Sequence, residues 1–407
     1  QPWANSVGTQ GSSKKTIARS DINGQLKSGL FWWLEFMTDK PLTFAESVNN
    51  KNKQAIGNTE SGGRVPIGIH LYSWYKEPFD YEIPQFSTRD SASEAVQTLS
   101  ADYTLVVPYI NVNGIDLSNR PGKYGGCEFP RPHGWYGKDF SYDNMRLEEL
   151  AMQRASEIPK VDANDNDSEI YYGTCYKGSP EAPDPKYHID ADPSQSRWQS
   201  IVAHNTDKAL SLGGGGVYFD TYGVGYHPDY SHGHEGHGDW WLKGQLDTGN
   251  AARAKLANDM YSRRILAAEF FNEGLMSNTD IIFNYAQPKL TDIPLIWSVY
   301  SGYQIYGGGN VNKTAGFDGT SGSSNKARHA IWGRSFVWGS QLGFSTHTIL
   351  CPLIKIGASS TYTPSCPANI AYLKELAMAR NHPMINKYLA YGELMELADD
   401  TNPLNKQ

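Results

Sequence analysis

The sequence predicts an α/β fold, a (β/α)8 TIM barrel with long aromatic loops, and three observations carry that expectation. Short apolar runs rich in β-branched and aromatic residues recur along the chain, as in fully buried parallel strands. Helical patterns lie between most of them, so crossovers rather than tight hairpins join the strands. About eight such runs fit into the 407 residues, the number a barrel of this type needs. A doubly wound sheet is the alternative, but no GxGxxG follows any of the runs.

In chain order, residues 1–60 are polar around one aromatic knot, Leu30–Phe36. They read as a linker or the remnant of a preceding domain, with the knot packed on the barrel as a strand or short helix. The barrel is expected over 61–393. Val65–Trp74 (VPIGIHLYSW) is its first strand, Ala92–Leu99 a helix and Tyr103–Asn111 the second strand. A Gly-, Pro- and aromatic-rich loop, Gly114–Phe140, leads to a helix at Leu147–Ile158 and a third strand at Glu169–Tyr176. Trp198–Leu212 carries apolar residues at helical spacing and passes through Gly213–Gly216 into a fourth strand ending at Asp220. Ala251–Arg264 is a helix and Ile265–Glu269 the fifth strand. Asp280–Tyr285, Pro294–Tyr300 and Phe336–Phe344 are the sixth, seventh and eighth, with helices at Lys326–Gly333 and Ala368–Arg380. Residues 394–407 become polar again, as a tail or the start of a following domain.

Composition narrows the partners. A formal charge of -7 with no basic run excludes the basic face that nucleic acid requires. No segment approaches the ~20 apolar residues that cross a bilayer. Trp 11 and Tyr 25 are high while charged residues are only 19%, and aromatic rings with polar tips suit sugar faces and hydroxyls. An oligosaccharide, polysaccharide or glycoconjugate substrate is therefore expected, with a secreted, periplasmic or cell-surface location, although no signal peptide begins at Gln1. The four cysteines show no CxxC spacing; Cys351 and Cys366 bracket a short loop and fit either a disulfide or free thiols.

Candidate chemistry concentrates in Gly213–Trp241 (GGGGVYFDTYGVGYHPDYSHGHEGHGDWW). Asp220 falls where the fourth strand emerges, and Glu269 closes the fifth. Working residues in such barrels sit at strand C-termini, and neighbouring strands lie ~5 Å apart, so the two acids can reach one sugar. Glycosidases need such a pair, one acid to attack or activate water and one to protonate the leaving oxygen. Glu273 competes with Glu269 for the second role, and a strand-end acid can instead merely anchor a loop. The cluster His232, His234, Glu235, His237 fits metal binding, sugar hydroxyl contacts or a self-satisfied loop; its spacing is not the HExxH signature. No GxSxG elbow and no Walker A lysine occur, which disfavours esterase and kinase readings.

The stretches HLYSWYKEPFDYEIPQF, GVYFDTYG, HGHEGHGDWWLKGQ and AAEFFNEGL resemble a bacterial glycoside-hydrolase-like barrel family catalogued as a domain of unknown function. That family is distantly similar to retaining endo-α-N-acetylgalactosaminidases and α-galactosidases. The chain carries Glu235 where the family usually shows proline. The resemblance implies a retaining glycosidase trimmed of flanking β-sandwich domains, with Asp220 as nucleophile and Glu269, or Glu273, as acid/base, needing no cofactor and no metal. Substrate contacts are expected from His70, Trp74, Asn111, Tyr222, His232, His234, Asp239, Trp240, Trp241, Asn284, Trp297 and Gln341. The alternatives are a non-catalytic carbohydrate-binding barrel and a His-cluster metal-dependent hydrolase.

Overall fold

A computed structural model describes residues 188–223, 239–257, 264–284 and 325–345 without a break, most of 67–116, and shorter stretches elsewhere. An eight-stranded parallel sheet curls round on itself in a TIM-barrel-like α/β fold. Its strands are β1 (Trp32–Phe36), β2 (Ile67–Leu71), β3 (Thr104–Asn111), β4 (Gly216–Asp220), β5 (Ile265–Ala268), β6 (Ile281–Asn284), β7 (Ile305–Gly308) and β8 (Gln341–Ser345). Each pairs with the next in order except that β1 also pairs with β8, Trp32 opposite Leu342 on one side and Ile67 on the other. Helices α1 (Ala92–Ser100), α2 (Ser196–Leu210), α3 (Trp240–Ala257), α4 (Leu295–Tyr300) and α5 (Asn325–Val337) fill the crossovers.

Ring contacts between strands that are not neighbours show what fills the inside. His70 on β2 lies 3.6 Å from Tyr218 on β4 and 6.2 Å from Phe283 on β6, centroid to centroid. Such contacts can only cross the barrel interior. The opposite faces of the same strands bury Val217 and Phe219 toward the helices, whose Trp198 donates its indole N–H to the Val112 carbonyl at 2.9 Å. The glycine run before β4 is a packing requirement. Gly213 takes φ 91° to end α2, and a Cβ at Gly214 would lie 2.8 Å from the backbone oxygen of Val106 on β3.

Four expectations are corrected. The knot at Trp32–Phe36, placed ahead of the barrel on sequence, is a strand of the sheet, paired on both sides. It therefore takes the place counted for Glu169–Tyr176, of which only Tyr176 is described, in a two-residue antiparallel ladder with Pro185–Lys186. The expected helix Leu147–Ile158 lies outside the described residues. Leu295–Tyr300 is helix α4, not a strand: a short apolar run cannot distinguish the two by period, and Pro294 ahead of it is a helix-opening residue. The strand in that place is Ile305–Gly308, whose IYGG pattern carries too little apolar signal. Finally, Phe336–Phe344 divides into the end of α5, a turn and β8. Gly339 at φ 81° closes the helix as a Schellman cap, with Gly339 N–H on Phe336 O and Ser340 N–H on Ser335 O, both 2.9 Å.

Candidate active site

Asp220 is the last residue of β4, pointing to the same face as Tyr218 two residues earlier. It is 5% exposed, and both its oxygens meet phenols: Tyr109 Oη donates to Oδ2 at 2.9 Å and Tyr218 Oη to Oδ1 at 3.4 Å. Both tyrosines are fully buried, with the Tyr72 ring tilted against Tyr109 at 4.7 Å. His70 lies beneath them, and burial among these rings holds its imidazole well below the usual histidine range.

The chain turns sharply after Asp220. Thr221 has φ 61°, a conformation that a β-branched residue adopts only when its surroundings impose it. Three groups do so. The Thr221 N–H donates to Glu269 Oε2 at 2.8 Å, its carbonyl accepts from Asn113 Nδ2 at 2.7 Å, and its hydroxyl donates to Asp220 O at 2.6 Å. Glu269 follows β5, and its own N–H bonds Phe219 O at 3.1 Å, so the two acids leave adjacent strands at the same level. Glu273 opens a separate 3-10 turn, Glu273–Leu275, capped by the Asn272 side chain. Asn113 Oδ1 in turn accepts from Gln245 Nε2 at 2.7 Å, which ties α3 to the turn.

The remaining candidates divide between this centre and the supporting shell. Asn111 is at the end of β3, 1% exposed and bonded to Tyr109. Trp74 is fully buried against Phe86 and Tyr75, its indole N–H on Tyr109 O at 2.7 Å, so it is core rather than a sugar platform. Tyr222 is likewise buried, its hydroxyl donating to Gln245 O at 2.8 Å, and burial pushes its phenol up. Trp297 sits on α4 against Tyr306 and Trp338, its indole N–H on Ser340 Oγ at 2.6 Å. Tyr306 pairs with Ile282, one residue out of step with the inward-facing Phe283, so that cluster belongs to the outer, helix-facing layer. Gln341 is buried and opens β8 instead of closing it. Asn284 ends β6. His232 lies outside the described residues.

His234 lies in a polar knot beside α2 and α3. Its Nε2 is 3.0 Å from Asp192 Oδ2, 3.1 Å from Ser194 Oγ and 4.0 Å from Asp229 Oδ2, while its ring stacks on Trp240 at 4.1 Å. Trp240 and Trp241 are both largely buried, and Asp239 is exposed just before α3. Among the described residues, Asp192, Asp229 and His234 form the one group whose donor atoms converge within 4.8 Å, a span one cation can bridge.

Sequence reasoning missed Tyr109, Tyr218, Thr221 and Gln245. The first two were recoverable: each stands two residues before a polar strand end, on the same face.

Residues 183–311, which include β4, β5 and both acids, match the family described as Domain of unknown function (DUF6259). No curated protein matches the sequence. In structure the chain is similar to the α-N-acetylgalactosaminidase NagBb from Bifidobacterium bifidum, with TM-score 0.55 and 10% identity over 93% of this chain and 56% of that one. It is also similar to a noncanonic maltogenic α-amylase, AmyB from Thermotoga neapolitana, with TM-score 0.52 and 11% identity over 91% of this chain and 79% of that one. A cycloalternan-degrading enzyme from Trueperella pyogenes gives TM-score 0.51 and 9% identity over 91% and 49%. The chain thus spans little more than half the length of NagBb. These likenesses define the fold as one that glycoside hydrolases use. Among the described residues, no helix is long and apolar enough to cross a membrane.

Proposed function

We propose that the chain is the barrel of a retaining glycoside hydrolase acting on a glycan or glycoconjugate. The observation that carries this reading is the pair Asp220 and Glu269, on adjacent strand ends and joined through the Thr221 N–H. Asp220 attacks the anomeric carbon as the glycosidic bond breaks, and Glu269 gives its proton to the departing oxygen. Glu269 then takes a proton from the water that releases the sugar. Because Oε2 holds the Thr221 N–H, Oε1 is the oxygen that carries the proton. Glu273, on the neighbouring 3-10 turn, is the alternative acid. The similarity to carbohydrate-active barrels supports the reading, and a glycan substrate suits a secreted, periplasmic or cell-surface enzyme.

A panel of aryl α- and β-glycosides, starting with the α-N-acetylgalactosaminide, tests it. Release of phenol with overall retention supports the reading. Glycan binding by calorimetry with no cleavage of any member would leave a carbohydrate-binding barrel instead. A second reading, metal-dependent hydrolysis, is favoured by Asp192, Asp229 and His234 alone. Stoichiometric metal in the purified protein together with loss of turnover on chelation would select it.

A further inference from the structure

One residue of α3 fastens both residues of the turn that follows Asp220. The Thr221 carbonyl can only accept, so the Asn113 amide must aim Nδ2 at it, 2.7 Å away. That leaves Asn113 Oδ1 toward α3, where Gln245 Nε2 donates to it at 2.7 Å. Both amide orientations thus follow from a carbonyl that cannot reverse. The Gln245 main chain takes the next residue, its carbonyl accepting the Tyr222 hydroxyl at 2.8 Å. Asn113 is itself anchored, with its N–H on Asn111 Oδ1 at 3.2 Å and its carbonyl on the Ala191 N–H at 2.7 Å. Asn113, Thr221, Tyr222 and Gln245 are all buried, where such bonds are stronger than in water. A β-branched residue at φ 61° needs holding of this kind.

We infer that Asn113 and Gln245 are positioning residues, which together clamp the Thr221–Tyr222 turn and so keep the Thr221 N–H on Glu269 Oε2. Released from Asn113, Thr221 falls back toward the negative φ that its β-branched side chain favours, and the Asp220–Thr221 peptide turns with it. That peptide carries the N–H held by Glu269 and follows directly on the Asp220 side chain. The clamp therefore sets how the two carboxylates stand to each other. Its consequence for turnover rests on the reading of these acids as the catalytic pair; the clamp itself does not.

NMR of protein labelled with nitrogen-15 threonine tests the clamp without turnover. The Thr221 amide signal is the one lost in Thr221→Ser, and the pH step in its proton shift that disappears in Glu269→Gln reports that carboxyl. In Asn113→Ala the signal is expected to move upfield and lose the step, because the N–H has left Glu269. Gln245→Met keeps the length of the side chain but not its donor. It is expected to act in the same direction by less, and it decides the question if Asn113→Ala does not fold. On aryl glycosides, kcat/KM should fall on the order of 10-fold for poor leaving groups, which need the acid's proton, and little for dinitrophenol, which does not. Residues that merely fill the core would lower the melting temperature, leave the Thr221 signal and its step in place, and slow both substrates alike. That result overturns the clamp. If the signal moves as expected but Glu269→Gln and Asp220→Asn cleave aryl glycosides at the wild-type rate, the clamp stands and the catalytic reading falls.

Discussion

Glu269 Oε2 accepts the backbone N–H of Thr221 at 2.8 Å, and Thr221 is the residue that follows Asp220. One carboxylate is therefore a support for the turn that presents the other. Glu269→Gln keeps an oxygen for that N–H but cannot donate a carboxyl proton. It should fold normally and lose on the order of 10²-fold or more in kcat on glycosides with poor leaving groups, far less on activated dinitrophenyl glycosides. Equal losses on both would remove Glu269 from the proton-transfer role and point to Glu273.

Burial of His70 makes stability depend on pH. Its folded-state value lies below the ordinary 6.5, so between the two values only the unfolded chain takes up the proton. Stability is fully present above about pH 6.5 and falls as pH drops through that window, by at most about 1.4 kcal/mol per pH unit. Urea melts of wild type and His70→Phe from pH 7.5 to 5 check this: the variant should show the shallower slope, and parallel curves would contradict it.

Trp74 is packed as core, so its loss should be felt in folding. Trp74→Ala is expected to cost about 3–5 kcal/mol, read as a fall in the denaturation midpoint. A variant of unchanged stability but much weaker glycan binding would restore Trp74 as a sugar platform.

Gly244 on α3 faces the segment that leads into α2. A Cβ there would lie 2.5 Å from Ser194 N and 2.6 Å from Pro193 C, and neither is a flexible side-chain tip. Gly244→Ala should therefore destabilise by about 1–3 kcal/mol, which differential scanning calorimetry would register as a lowered Tm.

The parts of this molecule that were legible in the sequence are those where one physical signal dominates. The run Val217–Phe219 stops abruptly at Asp220, and Ile265–Ala268 stops at Glu269, so strand, end and acid were all readable. Trp32–Phe36 was not, because its polar surroundings hide that β2 and β8 cover both its edges. Trp74, Tyr222 and Trp297 are expected from the sequence as substrate contacts. Which face of the sheet or helix an aromatic ring occupies depends on register, and register places these three in the packing. Leu295–Tyr300 was misread because six apolar residues fit either period. Thr221 could not have been found: nothing in its identity announces a positive φ.

The central claim is that the Asp220 carboxylate performs the attack. Its most direct measurement is the turnover of Asp220→Asn on whichever aryl glycoside the wild type cleaves, with melting temperature and glycan affinity measured on the same preparation. The amide keeps an oxygen for Tyr109 but is a poor nucleophile, so turnover should fall to background with Tm and affinity nearly unchanged. Wild-type turnover in that variant would contradict the account.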